Sequence, residues 1–184
     1  ILVPHLKAVF ELNYTEIMLI QFTFFSAYFL FAMPAAKIIS HLGYSRSIVL
    51  GLVVMACGAL LFLPAAALPS YALFLTALYI LASGMTILQV SANPYVAALG
   101  LPERASSRLN LVQALNSLGT TIGPYVGGLL ILSQGGPGSK EDATSVQLPY
   151  LVICGVLLAV AFAISRFHLP VLTQIEERGA AGEG

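Results

Sequence analysis

Long apolar runs, each close to the length of a bilayer crossing, alternate with short polar breaks along this 184-residue chain. A helix needs about 20 mostly apolar residues to span the hydrocarbon core. The runs at 17–39, 71–99, 109–132 and 149–167 meet that length, and the run at 48–63 reaches it by extending toward Arg46. Residues 1–10 read as the tail of a further helix, so the pattern predicts a fragment whose first helix starts upstream. Pro34, Pro94 and Pro124 fall inside apolar runs, where membrane helices accept proline as a bend. Continuous rather than alternating hydrophobicity excludes a transmembrane β-barrel. The predicted fold is an all-α membrane bundle over residues 1–168. The polar, glycine-rich stretch at 169–184 reads as the start of a linker.

Composition agrees with lipid as the solvent. Only 9% of residues are charged and 58% are hydrophobic, against about 25% charged in soluble domains. The net charge of zero removes nucleic acid as an expected partner. Cys57 and Cys154 lie within apolar runs and read as small packing residues rather than a disulfide or a metal pair. Six of the eight basic residues, Lys37, Arg46, Arg104, Arg108, Arg166 and Arg178, fall at alternate breaks, leaving Lys7 and Lys140 for the others. By the positive-inside rule the first set is cytoplasmic, and with it the C-terminal tail.

The polar positions inside the runs carry the candidate chemistry. At about 100° per residue, Gln113, Asn116, Ser117 and Thr120 share an arc, with Asn110 beside it. Thr86, Gln89 and Asn93 share another on the preceding run. Amides are costly in a bilayer and persist where something is hydrogen-bonded. They either tie helices to one another or line a cavity for a neutral polar solute, and two stripes together favour the cavity. Gly119, Gly123 and Gly127 recur every fourth residue, a ridge expected to let helix backbones approach. No Asp, Glu, Lys, Arg or His lies in a run away from its ends, and His5, His41 and His168 all sit at or near helix ends. Neither a metal cluster nor an acid–base pair assembles within the membrane from these residues, which argues against an enzyme.

Pro4-His5-Leu6-Lys7-Ala8-Val9-Phe10-Glu11-Leu12, Ala92-Asn93-Pro94-Tyr95, and Arg108-Leu109-Asn110-Leu111 followed by Gln113, Asn116-Ser117 and Gly119 together resemble a known family. The chain is similar to the N-terminal half of a major facilitator superfamily sugar transporter of the fucose–galactose–glucose symporter family. The likeness runs from about residue 1 to 132, with the last run matching in hydropathy only. Where the superfamily carries Gly-x-x-x-Asp-Arg-x-Gly-Arg-Arg, this chain keeps Gly43 and nearby basic charge, with Ser40 and His41 in the Asp-Arg places.

The resemblance implies twelve helices in two six-helix halves, with sugar bound between them near the midplane. It implies a cation-coupled hexose importer of the bacterial inner membrane, with glucose or galactose as substrate and fucose as a further candidate. Its partners would be the hexose, a coupling cation (H+ or Na+), the lipid bilayer and a C-terminal six-helix half, with no prosthetic cofactor. Gln89, Asn93, Gln113 and Asn116 would bind the sugar, and Pro94 and Pro124 would allow helix bending during alternating access. Fucose–proton relatives place a proton-coupling Glu where this chain has Gln89, and an Asp on the first helix just before Ile1, so Gln89 favours the glucose/galactose branch. Two rivals remain. Gly119-x-x-x-Gly123-Pro124-x-x-Gly127-Gly128 also resembles the glycine–proline signature of drug–proton antiporters, and some transporter-like proteins are sensors that move nothing.

Overall fold

The computed structural model describes residues 13–68, 70–132 and 147–166. They form five long helices: α1 (Tyr14–Leu42), α2 (Tyr44–Ala67), α3 (Tyr71–Ala98), α4 (Ala105–Leu132) and α5 (Gln147–Arg166). A short 3₁₀ turn, Pro102–Arg104, precedes α4, and no strand occurs among the described residues. The expected helix tail at 1–10 and the linker at 169–184 lie outside them.

Helix ends follow capping rather than the edge of each apolar run. The Asn13 backbone N–H donates to Glu16 Oε2 at 2.8 Å, the reciprocal half of a capping box that starts α1 ahead of its first isoleucine. α1 and α2 are separated by Gly43 alone, at φ +77°. That left-handed geometry is nearly free for glycine and strained for other residues. Ser70 Oγ accepts from Leu73 N at 3.4 Å and opens α3. The helices run on through Pro34, Pro64, Pro94 and Pro124 without interruption.

Five helices stand where the pattern predicts five runs, and among the described residues three of them are long and apolar enough to count as spans. α1, α2 through Ala65, and α3 are long and apolar enough to cross a membrane. The described side chains of α5, Tyr150–Arg166, form a shorter apolar stretch. α4 is 28 residues long.

α3 sits at the centre, packed along α2 on one side and α1 on the other, and α5 lies against α2. Within a bilayer lipid tails are as apolar as leucine, so helices associate through close van der Waals contact and hydrogen bonds. The α2–α3 seam is built that way. A β-carbon on Gly51 would stand 2.8 Å from Leu88 N, one on Gly58 2.6 Å from Leu81 N, and one on Gly84 2.6 Å from Met55 N. Only glycine permits such backbone approach. Hydroxyls at the seam are satisfied without a partner helix: Ser83, Thr86 and Ser91 donate to the carbonyls of Tyr79, Ala82 and Ile87 at 2.7, 2.9 and 2.6 Å. Such bonds to the residue one turn back neutralise a buried hydroxyl inside its own helix.

One end of the bundle is closed by aromatics. Phe62 of α2 stacks on Tyr150 of α5 (centroids 4.5 Å apart, planes 12° apart) and meets the edge of Phe74 of α3. Tyr71 Oη donates to the Glu16 carbonyl oxygen at 2.5 Å, tying the first turns of α1 and α3.

The ridge predicted at Gly119, Gly123 and Gly127 is not where the described helices meet. A β-carbon on Gly119 or Gly123 would touch nothing within 4 Å, and the surroundings of Gly127 lie outside the description. The reason is the course of α4. Ala105, Arg108, Leu109 and Val112 are half-buried, while every residue from Gln113 to Val126 is exposed. α4 leaves the bundle after its second turn, so its glycines have no described neighbour to approach.

Candidate functional site

The two amide-bearing helices, α3 and α4, are consecutive and antiparallel in sequence around the turn at Leu99–Arg104. Neither carries an ionisable acid, and α4 carries a single base, Arg108. On α3, Gln89 is exposed and Asn93 half-buried; on α4, Asn110, Gln113, Asn116, Ser117 and Thr120 are all exposed. Among the described residues, no side-chain hydrogen bond ties Gln89, Asn93, Gln113 or Asn116 to a neighbour. The amides therefore do not act as glue within the described bundle. The surface they present is neutral and rich in donors and acceptors, which suits hydroxyl groups.

Thr86 departs from the predicted α3 stripe. It is 2% exposed, and its hydroxyl is engaged by Ala82 of its own helix. An arc that spans about two turns crosses from the open side of α3 to its seam with α2, and Thr86 falls on the seam. Thr120 is likewise turned back, donating to the Ser117 carbonyl at 2.9 Å. The stripe side chains that make no described hydrogen bond are Gln89 and Asn93 on α3, and Asn110, Gln113, Asn116 and Ser117 on α4. Pro94 lies one residue past Asn93 and is exposed; Pro124 is exposed on α4.

Arg108, which enters the sequence reading as cytoplasmic charge and as the head of the Arg108-Leu109-Asn110-Leu111 string, makes defined contacts. Arg108 reaches from the first turn of α4 to the end of α3: Nε donates to Val96 O at 3.1 Å, Nη2 to Ala97 O at 2.7 Å, and Nη1 to Leu101 O at 3.1 Å. The last carbonyls of a helix have no partner within it, and a cation there also meets the negative end of the helix dipole. Its signal in the sequence was an arginine a few residues after a helix end with no acid on its own helix.

The match to known proteins follows the same helices. The model of the Major Facilitator Superfamily covers residues 1–182. The chain belongs to the Major Facilitator Superfamily. It is 55% identical over 167 residues to a glucose/galactose transporter of Brucella abortus biovar 1 (strain 9-941), covering 89% of this chain and 40% of that protein. It is 36% identical over 201 residues to the L-fucose-proton symporter of Escherichia coli (strain K12), covering 100% of this chain and 45% of that protein. In three dimensions it resembles a crystal structure of a Major Facilitator Superfamily transporter, FucP, in the outward conformation, with a TM-score of 0.82 at 35% identity over 94% of this chain and 45% of that one. The chain spans less than half the length of these relatives. The all-helical fold is thus that of a half of a superfamily transporter, and the chain is a multi-pass membrane protein of a transporter family rather than an enzyme.

Proposed function

We propose that this chain is the N-terminal half of a hexose importer that works by alternating access, with glucose or galactose as its sugar. The observation that carries the reading is the pair of uncharged amide stripes on consecutive helices, exposed but for the half-buried Asn93 and without side-chain hydrogen bonds among the described residues. Gln89 and Asn93 on α3 and Gln113 and Asn116 on α4 hydrogen-bond sugar hydroxyls in a cavity between this half and a C-terminal six-helix half. Neutral amides can both donate and accept, so they match a hydroxyl-rich, uncharged solute better than a cation or an anion. Greater identity to the glucose/galactose transporter than to the fucose symporter supports the sugar assignment.

Uptake is coupled to a cation, H+ or Na+. Pro94 sits beside the sugar amides and Pro124 one turn beyond Thr120, where each removes one helical hydrogen bond and lets its helix bend as access alternates. The protein lies in the bacterial inner membrane. Its basic breaks at Lys37, Arg46, Arg104, Arg108 and Arg166 face the cytoplasm, and the C-terminal tail is cytoplasmic. α1 directs Met18, Phe22, Phe25, Phe29 and Met33 outward, an apolar strip at helical spacing suited to lipid or to the other half.

The experiment is uptake of radiolabelled galactose by the full-length transporter in proteoliposomes, with H+ and Na+ gradients imposed separately and unlabelled glucose, galactose and fucose as competitors. Uptake driven by one gradient and competed best by glucose and galactose is expected. Absence of sugar uptake under either gradient, together with export of lipophilic cations, would replace the reading with that of a drug antiporter.

A further inference from the structure

We propose that Arg108 is a positioning residue: its guanidinium clasps the C-terminal end of α3 to the first turn of α4 and so sets the register between the two amide stripes. The inference rests on the hexose-importer reading for its consequence in transport, but the clasp itself is a matter of geometry. All three guanidinium nitrogens are used, each on a different carbonyl, at Val96, Ala97 and Leu101. A planar fork with donors fixed in direction can hold several acceptors at once, which a lysine ammonium on its flexible stem cannot do.

Two features make the clasp more than a surface contact. Past Val112 the described part of α4 touches nothing that buries it, so the first turns, with Arg108 at their centre, are its attachment to α3. The turn between the helices is also shaped around the guanidinium. Gly100 adopts φ +88°, and a β-carbon there would stand 3.4 Å from Arg108 Nη1. Another residue would be strained in backbone there, although its β-carbon would meet Nη1 only at ordinary van der Waals distance.

The clasp also matches the spacing of the site. Gln89 lies eight residues before Ala97 and Asn116 eight residues after Arg108, which at 1.5 Å per residue places each about 12 Å from the clasp along its helix. Asn93 and Gln113, four and five residues away, lie about 6 and 7.5 Å from it on the same basis. The two helices thus bring their amides to similar depth, pair by pair, as measured along each helix from one fixed point. A slip at that point displaces both pairs.

The test uses the full-length transporter in a cysteine-free background, with spin labels at the exposed positions Thr76 on α3 and Leu118 on α4, and measures both their distance distribution and the KM for sugar uptake. Arg108→Gln is expected to broaden the distribution and to raise KM about three- to tenfold, the loss of roughly one well-made sugar hydrogen bond. Arg108→Lys, which keeps the charge but not the fork, is expected to give an intermediate result in both readouts, and it stands in if the glutamine variant does not reach the membrane. A distribution unchanged in Arg108→Gln, or in Arg108→Lys where that variant stands in, overturns the clasp. A broadened distribution with KM unchanged overturns its positioning role. A wild-type protein that moves no hexose overturns the function proposed above, while the distance readout still decides whether Arg108 holds α4 to α3.

Discussion

Gly84 of α3 lies so close to Met55 of α2 that a β-carbon on it would stand 2.6 Å from the Met55 backbone nitrogen and 2.8 Å from the Gly51 carbonyl oxygen. Both obstacles are backbone, so neither can rotate away. Gly84→Ala is expected to push the helices apart and lower stability by about 1–3 kcal/mol, the range for overpacking a tight site. Gly155→Ala on α5 is the control, since a β-carbon there meets nothing within 4 Å and alanine gains up to about 1 kcal/mol of helix propensity. Thermal unfolding of the detergent-solubilised full-length protein should show a clear loss for the first and none for the second. Equal midpoints would mean that the α2–α3 seam is looser than described.

Thr86 and Gln89 lie less than one turn apart on α3 yet face different surroundings. Thr86 is buried with its hydroxyl on the Ala82 carbonyl, whereas Gln89 is exposed. Thr86→Val keeps the shape and removes a bond made within one helix, at a cost of about 1 kcal/mol, and should leave sugar KM untouched. Gln89→Ala should raise KM. If the valine variant impairs binding as much as the alanine variant, the stripe includes Thr86 after all.

Replacing Gln89 by Glu places a titratable group on the α3 stripe, which has none. Desolvation in a cavity disfavours the charged carboxylate and raises its pKa. The protonated acid is close in shape and bonding to the native amide; the anion is not. The ratio of variant to wild-type uptake is therefore expected to be highest at low pH and to fall as pH rises through the pKa of the new carboxyl. Measuring the ratio from pH 5 to 8 removes any pH dependence shared by both proteins, on the order of the window in which a raised carboxyl titrates. A flat ratio would place position 89 outside the cavity.

Much of the fold was legible because the bilayer imposes a length and a composition on each helix. The apolar runs located all five described helices, and capping residues such as Asn13 with Glu16 extended them beyond the runs. The packing was less legible. Glycines at 119 and 123 and those at 51, 58 and 84 look alike in sequence, and only the course of α4 separates those that meet a described helix from those that meet none among the described residues. The candidate stripe was legible as a set of amides, since uncharged polar groups stand out in apolar helices. Thr86 leaves the stripe because its hydroxyl, unlike an amide, satisfies itself on its own backbone. Arg108 was hidden for a related reason: its partners are carbonyls, which every residue carries and no sequence pattern marks.

The central claim is that the amides on α4 hold sugar, and equilibrium exchange of radiolabelled galactose in proteoliposomes tests it most directly, because exchange needs binding and access but no driving ion. Gln113→Ala and Asn116→Ala in the full-length transporter should each weaken exchange about fivefold or more, since a site that loses one partner leaves a sugar hydroxyl unpaired at roughly 1–3 kcal/mol. Leu118→Ala, on the same helix and equally exposed, should exchange like the wild type. Full exchange by both amide variants at matched protein levels would contradict the account.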